Sequence, residues 1–440
     1  MQRSLPAILA IVFASAACSA PRSGEPDGSS VADAGPADSG PTDAGPVDAG
    51  PPDAGPIPFP APFPAPPQVQ FEGGPVLADP VVIPIFYKSD TETSLQNEFV
   101  NFLSQVGSTP YWTAAVSEYG VGPVTVANTV VTTDTVANSI SDTDVQTFLA
   151  LHLNEADPAW PTPTNNSIYL IAYPAGVVIN LATQGGTAQT CQEVGGYHSN
   201  IVLQNGTPVA YAVIPRCGNF AGFTGVNTLT ATSSHEIVEA ATDPYPQTNP
   251  AYADADNAHF YWELVLGGGE VGDMCAQNPG AFQEFPYLNY VVQRIWSNKA
   301  ALKGTDPCQP ELANEVYFNS PPVENDMFSI SLGFGDTVTM SGINVAVGGS
   351  RTVDMDLFSE AATSGWSVQV QDGSVFTGGD ASLTFSLTPM TGVNGDKLKL
   401  TINRIAAGQD NLAPFLVTSQ MPIGNGQTQT NLWVGLVSNN

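Results

Sequence analysis

The chain has 440 residues, 42% hydrophobic and only 12% charged, which is enough apolar material for more than one core. Its 11 Lys and Arg stand against 41 Asp and Glu, a net charge of −30. Such a surface repels nucleic-acid phosphates and anionic lipid headgroups, so neither is a natural partner. It suits an extracellular protein that stays soluble or attracts cations.

Residues 1–18 read as an export signal: one basic residue, Arg3, an apolar run from Leu5 to Phe13, then small residues. The run is too short to span a bilayer. "SAAC" resembles the lipobox of bacterial lipoproteins, with Ser15 where Leu is usual. The resemblance implies that Cys18 is lipidated and becomes the mature N-terminus, with Ser19 after it as in proteins kept at the outer membrane. Ordinary secretion with cleavage nearby is the alternative. Residues 19–67 are expected to be a disordered tether, because an Asp-small-Gly-Pro repeat cannot bury a core.

Folded structure is expected from near Pro75, as an α/β domain over residues 68–308. "PVVIPIFY" and "SIYLIAYP" are short β-branched apolar runs, the signature of buried strands. "SLQNEFVNFLSQV", "YWTAAVSEY" and "SDTDVQTFLALHL" have helical spacing, and "PVTVANTVV" reads as a strand. "HSNIVL" and "PVAYAVIP", split by "QNGT", predict a hairpin. Strands alternating with helices argue for a mixed sheet packed under helices. Residues 309–440 change character: "FSISLGF", "WSVQV", "LTFSL" and "LKLTI" alternate with period two between Gly-rich turns, which predicts an antiparallel β-sandwich. Apart from Cys18, four cysteines remain, and an exported chain invites two disulfides. Of the three connectivities, Cys191–Cys217 with Cys275–Cys308 closes two modest loops; a zinc-thiolate site lacks any CxxC.

The chemistry concentrates in "SSHEIVEAATDP", residues 233–244, where a helix ends at Asp243-Pro244. His235 and Glu239 stand four apart on one helix face and can grip one cation, while Glu236 lies about 100° round the helix, within reach of a metal-bound water. This is HExxH logic with Glu in place of the second His. A catalytic zinc needs a third protein ligand and an open position. "GGGEVGDMC" supplies Glu270, and Asp273 to accept the other ring proton of His235 from outside the ligand set. The ExxD spacing leaves Glu270 against Asp273 open as the third ligand. His198 in "GGYHS" and His259 in "NAHFYWE" are substitute ligands or transition-state donors. A solvated acidic helix would produce HExxE by chance. "DADN" lacks the Gly and distal Glu of a calcium loop and reads as an acidic turn.

The motif resembles that of the zincin metallopeptidases, with Glu239 departing from the usual His. A second resemblance, to the phosphate-induced protein 1 or EXORDIUM-like family of secreted proteins, rests on "IPIFY", "YWTAAVSEY", "NSIYLIAY", "CQEVGGYH", "YAVIPRC", "HEIVEAATDP" and "GGEVGDMC", in that order. The two together imply a zincin-like fold and an extracellular, cell-wall-linked role. The reaction expected is hydrolysis of a peptide or cell-wall substrate at one zinc, with Glu236 as general base. The rivals are a non-catalytic surface protein with a structural metal site or none, and a glycosidase using Glu236 and Glu270, which leaves His235 idle.

Overall fold

VVIPIFY is buried from Val82 to Tyr87 because a strand flanked on both sides by parallel neighbours and covered on both faces has no polar side. In the computed structural model, residues 10–12, 56–155, 157–183, 186–219, 221–333, 336–374, 380–408, 410–424 and 426–439 are described. Cys18 and most of the expected tether lie outside them. The main elements of the first part are β1 (Val81–Tyr87), α1 (Thr93–Val106), α2 (Pro110–Val116), β2 (Thr125–Val126), β3 (Val130–Thr132), α3 (Asp142–Asn154), β4 (Ser167–Ala172), β5 (Val194–Val202), β6 (Pro208–Ile214) and α4 (Val226–Thr242).

These strands form one sheet in the order β5-β6-β4-β1-β2, with β3 also paired to β1. β6, β4, β1, β2 and β3 run parallel, and β5 is antiparallel to β6. Parallel neighbours need crossovers: α1 and α2 lead from β1 to β2, α3 leads from β3 to β4, and the strands Val178–Thr183, Gly186–Gln189 and β5 lie between β4 and β6. The hairpin predicted around "QNGT" is the β5–β6 pair. Ala10–Val12 lies antiparallel along the outer edge of β5, Ala10 opposite Tyr197 and Val12 opposite Val194.

The sheet separates two cores by simple alternation. Val82 and Phe86 of β1 join the core that holds α1 and α4, while Ile83, Ile85 and Tyr87 meet Val145, Leu149 and Leu153 of α3 on the other face. Local signals start two of the helices. Ser141 and Asp144 make a reciprocal capping box on α3, and Thr109 accepts from Trp112 N ahead of Pro110 on α2.

β7 (Val291–Gln293) follows α5 (Tyr261–Leu266) and α6 (Asp273–Ala276). Beyond it the only α-helix among the described residues is the short Asn298–Lys303, and strands predominate. The longer strands are β8 (Asp326–Gly333), β9 (Asp336–Asn344), β10 (Ser350–Asp356), β11 (Trp366–Asp372), β12 (Leu383–Thr388), β13 (Lys397–Arg404), β14 (Ala413–Gly424) and β15 (Gln427–Ser438). A six-stranded sheet holds β8-β9-β15-β14-β11 and Thr391–Gly392, and a three-stranded sheet holds β10-β13-β12. Leu398, Leu400 and Ile402 are buried in strict alternation on β13, as the period-two pattern predicts. One pairing departs from the antiparallel expectation: β9 meets β15 in parallel at Ile343 and Asn344. The two parts share a core, with Trp262 edge-on to Trp433 at 5.3 Å.

The chain joins this body earlier than its composition suggests. Pro58 O and Ala61 N both bond the Asn394 side chain, Phe63 stacks on Phe358 at 4.2 Å, and Val69 bridges to Ala255. A proline-rich segment has little backbone entropy to lose, so the ring stack of Phe63 and the burial of Ala61 and Val69 suffice to hold it. Both expected disulfides form: Cys191–Cys217 with Cα atoms 5.2 Å apart, and Cys275–Cys308 at 5.8 Å.

Candidate metal centre

α4 is not a surface helix. Every residue from Thr228 to Thr242 is buried, including His235, Glu236 and Glu239. Its small hydroxyl residues make this tolerable by bonding backbone: Thr230 donates to Val291 O and Thr242 to Val238 O, while Ser234 Oγ accepts from Gln293 N. The acidic-surface explanation of the motif therefore fails, because no face of the helix meets water.

Three other segments meet this helix. β5 brings His198, the loop into α6 brings Glu270 and Asp273, and β7 brings Gln293. With Asp243 at the C-cap of α4, five carboxylates and two imidazoles lie buried together, each at most 2% exposed. The ion pairs of these acids among the described residues are to the two histidines. Their atoms fall into two groups that could each hold a cation, His235–Glu239–Asp273 and His198–Glu236–Glu239, with ligand atoms within 4.8 Å of one another.

Hydrogen bonds on the outer side orient both rings. His235 Nδ1 lies 3.0 Å from Gln293 Oε1, and the Gln293 amide is fixed by donating Nε2 to Gly272 O at 2.6 Å. So Nδ1 carries the proton and donates, and Nε2 faces Glu239 Oε2 at 2.8 Å and Asp273 Oδ1 at 3.7 Å. His198 Nε2 lies 3.2 Å from Asp243 O and must donate to it, which turns Nδ1 inward toward Glu239 Oε2 at 3.6 Å and Glu236 Oε2 at 3.8 Å. Glu239 Oε1 is held by the backbone N–H groups of Gly272 and Asp273, both at 3.1 Å, leaving Oε2 between the two rings. His198 Nδ1, Glu239 Oε2, Asp273 Oδ2, Asp243 Oδ2 and both oxygens of Glu236 and of Glu270 are buried without a hydrogen-bond partner. Unpaired buried charge of this density is costly, and a divalent cation supplies what the side chains lack. The donor set, imidazole nitrogen with carboxylate oxygen, is one that zinc accepts.

The buried groups act strongly on one another's charge. Burial opposes charge on His198, but the facing carboxylates of Glu236 and Glu239 push it up to about 10. For His235 burial likewise opposes, and attraction to Glu239 and Glu236 raises it to about 10. Burial pushes Glu236 and Asp243 up, and burial together with the charge of Glu239 lifts Glu270 and Asp273 well above the carboxylate range. Glu239 alone goes down, because His235 and His198 outweigh its burial.

The expected residues are thus brought together, but in altered roles. Asp273 is not the acceptor of the outer ring proton of His235; that role belongs to Gln293, and Asp273 faces the inner nitrogen. Glu270 lies across from His198 Nε2 at 3.6 Å and is in neither converging group. His198 takes a place in the site. His259 does not, since its Nδ1 bonds Asp256 at 2.9 Å and both belong to the turn that "DADN" begins. Gln293 and Asp243 were missed, and only the Asp243-Pro244 stop signal pointed near either. Glycines make the approach possible: a Cβ on Gly272 would sit 2.6 Å from Glu239 Oε1 and His235 Nδ1, and one on Gly196 would sit 2.5 Å from Thr232 Cγ2.

No family model matches the sequence, and no curated protein or solved structure matches it.

Proposed function

We propose that the chain is an exported, surface-tethered zinc-dependent hydrolase acting on peptides, built as a zincin-like domain carrying a C-terminal β-sandwich. The observation that carries this reading is Glu236: both its oxygens are unpartnered, one residue along α4 from His235 and 3.8 Å from His198. His235, Glu239 and Asp273 would hold the cation, with Glu270 the remaining acid beside them. Bound zinc would supply a Lewis acid and an acidic water. With its carboxylate free of partners, Glu236 would serve as the group that takes up a proton and returns it to the leaving amine. Gln293 keeps the inner nitrogen of His235 free of its proton, and the glycine-flanked segment at Gly272 aligns Glu239.

Peptide is the substrate class because of the neighbouring edge. β5 carries His198 and pairs inward only with β6, so its outer edge accepts an antiparallel strand, as Ala10–Val12 does in this structure. Removal of the signal segment on export would free that edge for an extended substrate. The resemblance to EXORDIUM-like proteins supports a cell-wall setting, and the lipobox-like "SAAC" supports an outer-membrane anchor through Cys18.

A second reading has its own observation. Every group of the centre is at most 2% exposed, which favours a closed structural metal site in a non-catalytic surface protein. The mature full-length chain, loaded with zinc, should cleave a mixed peptide library, and a chelator should stop it. Glu236→Gln should retain the cation held by His235, Glu239 and Asp273 while losing roughly 10²–10⁴ in rate, because a primary amide cannot take the proton. Metal bound with no cleavage in the wild type would establish the structural reading instead.

A further inference from the structure

We infer that the centre holds two divalent cations, the second on His198, Glu236 and Glu239, with the Glu239 carboxylate shared between them. This rests on the reading of α4 as a metal-binding helix and extends it to the strand opposite.

The His198 side has the spacing of a metal site rather than of hydrogen bonds. Its Nδ1 is 3.6 Å from Glu239 Oε2 and 3.8 Å from Glu236 Oε2, beyond hydrogen-bond range, and it has no partner. Two ligands of a tetrahedral zinc with bonds of about 2.0 Å stand roughly 3.3 Å apart, close to these separations. The ring cannot turn away, since Nε2 is engaged by Asp243 O on the far side. Nδ1 and the two carboxylate oxygens therefore converge on a common point at which a cation can take all three as ligands.

Charge gives an independent argument. A single dication balances two of the five carboxylates buried here, Glu236, Glu239, Asp243, Glu270 and Asp273, and a second dication leaves one unbalanced. Position supports the same count. His235 and His198 approach Glu239 Oε2 from different elements, α4 itself and β5, and the two ligand groups have only Glu239 in common. Glu236 can serve both purposes: Oε2 faces His198, and Oε1 remains unpartnered as the proton acceptor. Paired cations bridged by a carboxylate would clamp a hydrolytic transition state from both sides.

The test uses the full chain as exported, stripped with chelator and reloaded with zinc alone, then with manganese(II) alone. Metal analysis should find about two zinc per chain, falling to about one in His198→Ala, and the manganese-loaded wild type should show an exchange-coupled paramagnetic signal, as expected for ions about 3.5–4 Å apart. One zinc per chain, lost equally in His198→Ala and His235→Ala, would mean a single shared ion and overturn the proposal. An uncoupled manganese signal would do so even if the variants failed to fold. One ion with peptide cleavage intact defeats the second position alone. Two ions without cleavage leave it standing and defeat the hydrolase. No bound ion defeats both.

Discussion

Gly272 shows how closely single residues are matched to this centre. Its peptide N–H bonds Glu239 Oε1, its carbonyl receives Gln293 Nε2, and any side chain there would strike the His235 ring. Gly272→Ala should therefore weaken zinc binding by roughly 10–100-fold, the range seen when groups that orient ligands are disturbed. Calorimetric titration of the stripped protein measures this, and unchanged affinity would show that the segment yields freely. The residues of the motif were legible because helical spacing alone puts His235 and Glu239 on one face. Gln293 was not, since it lies 58 residues from the ring it orients and is one amide in a short apolar strand.

At the scale of elements, the question is what keeps Asp273 beside His235. α6 has four residues, too few to be stable alone, and begins at Asp273 without a side-chain cap. Cys275 ties it to Cys308. Opening that bridge releases a loop of 33 residues, which costs roughly 3–4 kcal/mol of stability on the loop-entropy scale. Cys275→Ala with Cys308→Ala should lower the melting temperature by several degrees and weaken metal binding as well. The matching pair of substitutions at Cys191 and Cys217, whose bridge reaches none of the ligands, should lower stability with a smaller effect on metal. Equal losses of metal in both variants would show that global loosening, not the placement of α6, is responsible. Cysteine spacing alone made both pairings readable, whereas the link from Cys275 to the ligands needed the fold.

Across the whole molecule, the α/β part and the C-terminal sheets meet at Glu324. Tyr261 of α5 donates to its Oε2 at 2.6 Å, and Leu436 N of β15 donates to Oε1 at 2.7 Å. Burial pushes this carboxyl up to about 7 from an ordinary 4.5, despite both hydrogen bonds. The folded state then binds more protons than the unfolded one between pH 4.5 and about 7, so stability falls as pH rises through that window and levels off above it. The effect is at most about 3 kcal/mol. Denaturant melts of wild type and Glu324→Gln, compared across pH, should differ by this slope. Parallel curves would show that Glu324 stays ionised at the interface. Nothing in the sequence around "PPVENDMF" marks that glutamate, because its two partners are distant in the chain.

By itself the sequence determined whatever depends on local periodicity and short-range chemistry. The parallel strands follow from apolar runs, the later strands from alternation, the hairpin from its turn residues, and the helix of the candidate centre from residues spaced by one turn. These signals survive because neighbours in sequence are neighbours in the element. Tertiary structure alone decided which faces are buried and what lies across the gap. It turned an acidic segment into a fully buried helix, moved His198 into the site and left His259 out. It gave the part expected of Asp273 to Gln293, and drew residues 58–69 onto the body. Each of these depends on contacts between residues tens to hundreds of positions apart, whose energies come from burial and have no local imprint on the chain.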